Sequence, residues 1–294
     1  MNPSSIEDTI NRLPCWLGRI EIQALDGGMT NHNYRVRDGA ANYVVRLGAD
    51  LPEHGVMRFN ELAAARAAHA AGISPEVVFA QPGIMVSRFI EGRTLTDQDV
   101  RDPRLSAPLV DLIRRCHQDV PLHLRGPVLM FWVFQVIRNY AAVLRESTHN
   151  PLSARLSGLL EMAAKLELAI GPISVVFGHN DLLAANFIDD GTRLWLLDWD
   201  YAGFNSPLFD LANLSSNNDY SPAQDEDLLE RYFQTPPNAA VWRGFVSMKC
   251  ASLLREVLWG SVQQMQSTIA FDYASYTAAY LARWDATLAH AMPP

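Results

Sequence analysis

Asp181 and Asn186 stand five positions apart in the stretch Gly178-His179-Asn180-Asp181-Leu182-Leu183-Ala184-Ala185-Asn186. A second aspartate, Asp198, closes the apolar run Leu194-Trp195-Leu196-Leu197. Phosphoryl transfer asks a protein for little more than this. It needs a carboxylate to orient and deprotonate the acceptor hydroxyl, and oxygen ligands that hold magnesium on the phosphates. Magnesium takes hard oxygen donors, which an amide and a carboxylate supply. The spacing therefore points to Asp181 as base and to Asn186 and Asp198 as metal ligands. Any one of the three alone would be read as a capping or turn residue. The three together, in the order H-x-D-x-x-x-x-N followed by a strand-terminal Asp, match the arrangement that phosphotransferases of the protein-kinase type use.

Two further signals lie upstream. Gly27-Gly28-Met29-Thr30-Asn31 falls between two predicted strands. Paired glycines let backbone N–H groups approach a phosphate closely. On its own this is as well read as a plain hairpin turn; beside the catalytic stretch it makes Gly27, Gly28, Thr30 and Asn31 candidate ATP contacts. Arg46 on the third predicted strand and Glu61 on the following helix form the other signal. A strand-borne cation held by a helix glutamate is how kinases grip the α- and β-phosphates, and arginine can fork onto phosphate oxygens. No GxGxxG and no GxxxxGK[ST] occurs in the chain, which removes the dinucleotide-fold and Walker-type readings.

The elements that must position these residues follow from the hydrophobic pattern. Strands are predicted over 20–25, 34–37, 43–47, 77–80 and 84–89, with a helix over 56–71 inserted before the fourth. Gly72 and Pro75 stop that helix, and Glu91-Gly92-Arg93 reads as a hinge. Beyond Thr94 the periodicity is helical, over 105–118, 129–146, 153–169, 223–234, 239–263 and 271–290. Short strands at 174–177, 186–188 and 194–197 interrupt it, the last two flanking the turn Asp189-Asp190-Gly191. The expectation is an α+β chain with a small antiparallel β-rich lobe over residues 1–90 and a larger, mainly helical lobe over 91–294.

Bulk properties agree with a folded enzyme. Of 294 residues, 49% are hydrophobic and 19% charged, and the formal net charge is −8. An acidic chain lacks the basic surface that nucleic-acid binding needs. Cys15, Cys116 and Cys250 are far apart, with no CxxC or HExxH, so neither a zinc site nor a disulfide framework is expected. The apolar stretch 128–134 is far below the ~20 residues that span a bilayer, and the N-terminus lacks the apolar run of a secretory signal. A soluble, cytoplasmic protein is expected, with no nucleic-acid or membrane partner.

The chain resembles the choline/ethanolamine kinase family, within the wider aminoglycoside phosphotransferase-like group. The likeness rests on residues 27–34 (GGMTNHNY), 43–46 (YVVR), 71–76 (AGISPE), 179–181 (HND), 198–203 (DWDYAG), 209–212 (FDLA) and 258–260 (LWG), and on Phe271-Asp272-Tyr273 with Tyr276. It implies a two-lobe protein-kinase-like fold, ATP with Mg2+, and a small hydroxylated, cationic acceptor; it leaves room for a homodimer. It implies that Asp210 and His179 support the catalytic loop, and that adenine meets backbone near Ser87 and Phe89. It also implies that aromatic faces and a carboxylate hold the acceptor's ammonium, with Trp259, Tyr276 and Tyr220 at such positions; Asp200, two residues after Asp198, and Asp219 beside Tyr220 offer negative charge near the same mouth. Two departures stand out. Asn217 lies near a position where animal choline kinases carry Glu, and Val262 stands where a second Trp is expected. Another hydroxylated acceptor (an aminoglycoside, thiamine or a sugar) and a non-catalytic pseudokinase are the alternatives. His179-Asn180-Asp181 in place of HRD, Asp198-Trp199-Asp200 in place of DFG, and the lack of an APE segment disfavour a protein kinase.

Overall fold

A computed structural model describes residues 3–25, 31–267, 269 and 271–291. After helix α1 (Pro3–Asn11), strands β1 (Ile20–Leu25), β2 (His32–Asp38) and β3 (Ala41–Leu47) form a meander. Helix α2 (Arg58–Ala70) follows, then β4 (Val77–Gln81) and β5 (Ile84–Arg88). These five strands make one antiparallel sheet in the order β1-β2-β3-β5-β4. Alternation drives it: Val45 and Leu47 on β3, with Val36, Ile84 and Val86 on neighbouring strands, point to one buried face. Ile6, Ile10 and Leu13, from α1 and the segment after it, cover that face. Helix α1 was not predicted. It is nine residues long, too short to be stable on its own propensity, so the sheet it covers holds it.

The rest of the chain is mainly helical. A two-residue strand β6 (Arg93–Thr94) leads into α3 (Asp97–Val100), α4 (Pro103–Gln118), α5 (Val120–His123), α6 (Val133–Glu146) and α7 (Leu156–Ile170). Next come β7 (Val176–Gly178), β8 (Phe187–Asp189), β9 (Leu194–Leu196) and β10 (Gly203–Asn205). Helices α8 (Pro207–Asn217), α9 (Pro222–Phe233), α10 (Ala239–Gln266) and α11 (Tyr273–Ala291) complete it. The helix predicted from 129 begins only at Val133. Before it the chain stays extended, because Phe131 N–H donates to Phe204 O and Phe204 N–H donates to Leu129 O. Among the described residues no helix is long and apolar enough to cross a membrane, and the three cysteines are free.

The buried face of α2, including Ala64, Ala65, Ala67 and Ala68, joins the helical core and not the core of the sheet. Asn60 of α2 clamps it further, donating from Nδ2 to Ala202 O at 2.7 Å and accepting from Leu129 N–H at 2.8 Å. The sheet thus hangs on a helix that is itself rooted in the helical part. This fixes Arg46 and Glu61 relative to the loops that follow β7 and β9.

Candidate active site

The loop after β7 is set by α8. Ser206 caps α8, and Asp210 in its first turn accepts from the backbone N–H of His179 (2.8 Å) and of Asn180 (2.7 Å). His117 Nε2 reaches the same carboxylate at 2.9 Å. Burial opposes ionisation of Asp210, but the His117 contact and the two N–H groups outweigh it and hold its pKa below the ordinary carboxylate value. Asn180 adopts φ of 65°, a left-handed conformation that asparagine tolerates. Its Nδ2 lies within hydrogen-bond distance of the carbonyls of Gly178, Tyr201 and Gly203. A Cβ at Gly178 would meet Asn180 Oδ1 at 2.9 Å, which explains the glycine. His179 is fully buried, directs Nε2 to Leu197 O at 2.8 Å and lays its ring edge-on to Trp199.

The β8–β9 hairpin brings the two candidate metal ligands together. Phe187 pairs with Leu196, and Leu197 N–H donates to Asn186 O at 2.9 Å, so Asn186 and Asp198 flank one end of the ladder. Asn186 Nδ2 donates to Asp181 O at 2.8 Å, which commits the nitrogen to the loop and leaves Oδ1 as the donor oxygen. Asp198 has φ of 67° and a side chain 42% exposed. One amide oxygen and one carboxylate, both hard donors, suit a magnesium ion whose remaining ligands are phosphate and water oxygens.

Arg46 is almost fully buried in a carboxylate cluster. Its Nη1 lies 2.6 Å from Glu61, and its Nη2 lies 2.7 Å from Asp200 and 3.1 Å from Asp198. Arg58 joins it, bonding Glu61 at 2.6 Å, Asp200 at 2.7 Å and Asn31 Oδ1 at 2.8 Å. Burial favours the neutral form of Asp198, but Arg46 overrides this and keeps its pKa low. Asp200 goes the other way, pushed up to about 7 by burial and by the nearby Asp198 charge. The pairing of Arg46 with Glu61 appears as predicted. Asp200 does not stand by the aromatic residues; the two arginines and Asn31 take it. Gly27, Gly28 and Thr30 lie outside the described residues.

At the expected adenine contacts the backbone is partly engaged within the sheet. Phe89 N–H already donates to Asn42 O, and Ser87 sits inside the ladder opposite Val44 and Val77. The ring of Phe89 is covered by the Arg35 guanidinium at 4.2 Å. Ile90 follows, after the sheet ends.

Asp181 faces the helical side. Its Oδ1 lies 3.1 Å from Arg255 Nη1, and the same Nη1 lies 2.6 Å from Glu256 Oε1. The other oxygen of Glu256 accepts the Tyr276 hydroxyl at 2.7 Å. Tyr276 sits edge-on to Trp259 (centroids 5.5 Å apart) and tilts against Tyr280 (4.5 Å), with Phe271 and Tyr273 at the margin. Burial pushes Asp181 up to about 7; Arg255 opposes this, and the Glu256 charge adds to it. Trp259 and Tyr276 are therefore brought together beside a carboxylate. Tyr220 is not part of that group: its hydroxyl donates to Val100 O at 2.9 Å. Asp219 pairs with Arg283, and Val262 is core. Asn217 is 6% exposed and neither polar atom of its amide has a partner.

Sequence reasoning missed Glu256, Arg255, Tyr280 and Arg58. One signal was available: Arg255-Glu256 is a charged pair inside the run Leu253-Leu254-Arg255-Glu256-Val257-Leu258, which is otherwise apolar.

Comparison with known proteins identifies relatives of this chain. The family model for choline/ethanolamine kinase matches residues 22–227. A probable ethanolamine kinase of Arabidopsis thaliana is 28% identical over 290 residues, covering 87% of this chain and 76% of that protein. The crystal structure of a choline/ethanolamine kinase family protein from Mesorhizobium loti is 30% identical, with a TM-score of 0.79 over 98% of this chain and 95% of the other. Choline kinase LicA from Streptococcus pneumoniae shares the fold, at 24% identity and a TM-score of 0.79 with 98% of each chain covered. The chain belongs to the choline/ethanolamine kinase family of magnesium- and ATP-dependent small-molecule phosphotransferases.

Proposed function

We propose that this chain transfers the γ-phosphate of ATP to the hydroxyl of a small cationic amino alcohol, choline or ethanolamine, with Asp181 as base. One observation carries the reading. Asp181 is tied through its backbone carbonyl to Asn186 on the metal side, and through its carboxylate to Arg255–Glu256 on the aromatic side. A hydroxyl held at Asp181 would thus have phosphates on one side and an acidic, aromatic pocket on the other.

The roles follow. The nucleotide lies between a β-rich lobe of about residues 1–90 and a helical lobe of about 91–294, with adenine against the backbone from Ile90 onward. Arg46, oriented by Glu61, turns to the phosphates. Asn186 and Asp198 hold magnesium, which when bound neutralises charge on the phosphate oxygens. His179 and Asp210 fix the loop. Asp181 accepts the acceptor's proton as the oxygen attacks in line with the γ-phosphate. Glu256, Trp259, Tyr276 and Tyr280 receive the ammonium, whose attraction to an aromatic face is worth roughly 0.5–2 kcal/mol. Asp200 serves the arginine cluster, and Tyr220 braces α3. The named ethanolamine and choline kinases among its relatives support an acceptor of this class.

A coupled ADP-release assay over choline, ethanolamine, thiamine, aminoglycosides and sugars tests the acceptor. Turnover on choline or ethanolamine, lost in Asp198→Ala at ordinary magnesium, is the expected result. Turnover only on one of the other classes sinks the acceptor and keeps the phosphotransferase. An Asp198→Ala variant with wild-type turnover sinks the metal assignment.

A further inference from the structure

Arg255 is 2% exposed and is the largest fully buried side chain of the described residues. Its guanidinium lies over the Tyr201 ring at 4.3 Å and 5.8 Å from the centre of Phe131, and its Nε has no partner. A buried ion pair is rarely worth more to folding than apolar residues of the same size. A guanidinium kept in a run of leucines and valines, touching the candidate base, calls for another explanation.

The local charge count supplies one. With the base ionised, Asp181 and Glu256 carry two negative charges and Arg255 carries one positive. The carboxylates further off have their own cations: Arg46 and Arg58 bridge Glu61, Asp198 and Asp200, and Arg283 holds Asp219. None of those cations pairs with Asp181 or Glu256, so the Asp181–Arg255–Glu256 group is by itself short of one positive charge. The aromatic rings of Trp259, Tyr276 and Tyr280 stand together beside Glu256, a setting that suits a cation with an apolar or weakly hydrated surface.

We propose that Arg255 sets the charge an acceptor must carry: by cancelling one of two buried carboxylates it makes the pocket complete with a monocation, while holding Asp181 by Oδ1 so that Oδ2 is left for the acceptor hydroxyl. Neutral alcohols leave Glu256 uncompensated, and dications set a second charge against the guanidinium. Arg255 is thus a positioning and specificity residue, distinct from the base it orients. The inference rests on the proposed reading of Asp181 and the aromatic pocket.

The test compares kcat/KM at pH 7 for three acceptors on the full chain with ATP and magnesium. These are ethanolamine as monocation, 1,3-diaminopropan-2-ol as dication and 1-propanol as neutral isostere. Arg255→Met should lower kcat and move the ethanolamine-to-diamine ratio toward the dication by about ten-fold or more, since close like charges dominate such discrimination. Glu256→Gln should move the ethanolamine-to-propanol ratio toward the neutral alcohol by a similar factor. The double variant Arg255→Met/Glu256→Gln restores the original net charge and should restore preference for ethanolamine, although kcat stays low. It also keeps the test decisive if Arg255→Met alone does not fold. Arg255→Lys, which keeps the charge and loses the fork, should hold the ratios and lower kcat.

Equal losses on all acceptors, with ratios unmoved, would show Arg255 to be structural only and overturn the proposal. So would a double variant with the selectivity of Glu256→Gln. If the wild-type chain turned over neither choline nor ethanolamine, the functional reading and this inference would fall together. If it turned them over and only the ratios stayed fixed, this inference alone would fall.

Discussion

At the scale of single residues, the proposed site divides into groups that would touch reacting atoms and groups that would hold them. On that reading Asp181 belongs to the first kind. Asp181→Asn keeps shape and removes the base, so kcat should fall by at least roughly 10²-fold, the lower range of what general-base catalysis contributes. Nucleotide affinity, measured by titration with a non-hydrolysable ATP analogue, should be unchanged; a wild-type kcat would exclude the role. Trp259 belongs to the acceptor side. Replacing it by Ala removes a cation–π face worth roughly 0.5–2 kcal/mol and should raise the acceptor's KM several-fold to tens-fold, with little change in KM for ATP. A large core deletion also destabilises by about 3–5 kcal/mol, so Trp259→Phe, which keeps an aromatic face, is the control. It should recover most of the affinity. Asp181 was legible as a candidate because its type and spacing carry chemistry, whereas Trp259 was marked only by the family resemblance. Arg255 and Glu256 were not, because periodicity places them on a core helix and says nothing about which of its faces meets the base. Asp200 misled for a similar reason. Its position after Asp198 suggested the pocket mouth, yet two arginines from distant segments claim it.

At the scale of elements, α10 and α11 would build the acceptor wall on the proposed reading, and their closeness depends on Gly260. A Cβ there would meet Thr277 Oγ1 at 2.6 Å and the Tyr276 ring at 2.9 Å. Gly260→Ala should therefore push α11 outward, with an overpacking cost of about 1–3 kcal/mol, and weaken the Tyr276–Glu256 hydrogen bond. The expected readout is a lower Tm and a raised KM for the acceptor with KM for ATP unaltered. Wild-type KM values in a destabilised variant would separate the wall from substrate binding. This glycine is the third residue of Leu258-Trp259-Gly260, so the sequence resemblance marked the place without giving the reason. Long elements were readable from sequence because hydrophobic period and Gly or Pro stops agree over many residues, as in α2, α4, α9 and α10. Of the short ones, β7, β8 and β9 were anticipated, the last two by the Asp190-Gly191 turn, but β6 and β10 were not. The two-residue β6 and the three-residue β10 exist through pairing with β8 and β7, and no local pattern announces a partner that lies so far along the chain.

At the scale of the whole molecule, the loop between β3 and α2 ties the sheet to the helical part, and His54 is its anchor. His54 is 5% exposed. Its Nδ1 meets the Tyr140 hydroxyl of α6 at 3.2 Å, and its ring packs against Tyr140 and lies 6.4 Å from that of Trp259 on α10. The adjacent Glu53 carbonyl accepts from Asn139 Nδ2 at 3.0 Å. Burial depresses the His54 pKa from 6.5 to about 4; the Glu53 charge opposes this, and Arg255, a smaller contribution, pushes the same way as burial. The sign of the linkage follows. Between these two values the unfolded chain binds a proton that the folded chain refuses, so folding stability falls as pH drops from about 6.5 and the loss ends below about 4. The full span corresponds to about 3 kcal/mol, of which about 2 kcal/mol should be gone by pH 5. Carboxylates titrate in the same acid range, so the wild type alone does not isolate this histidine. Denaturant melts of wild type and His54→Gln at pH 7.5 and pH 5 do. Gln keeps a polar group for Tyr140 and cannot be protonated. Wild type should be the more stable at pH 7.5, and its margin should shrink by about 2 kcal/mol at pH 5. A margin that stays constant with pH would mean that His54 is protonated in the fold, and that its link to Tyr140 and α10 is not the neutral, buried anchor described here.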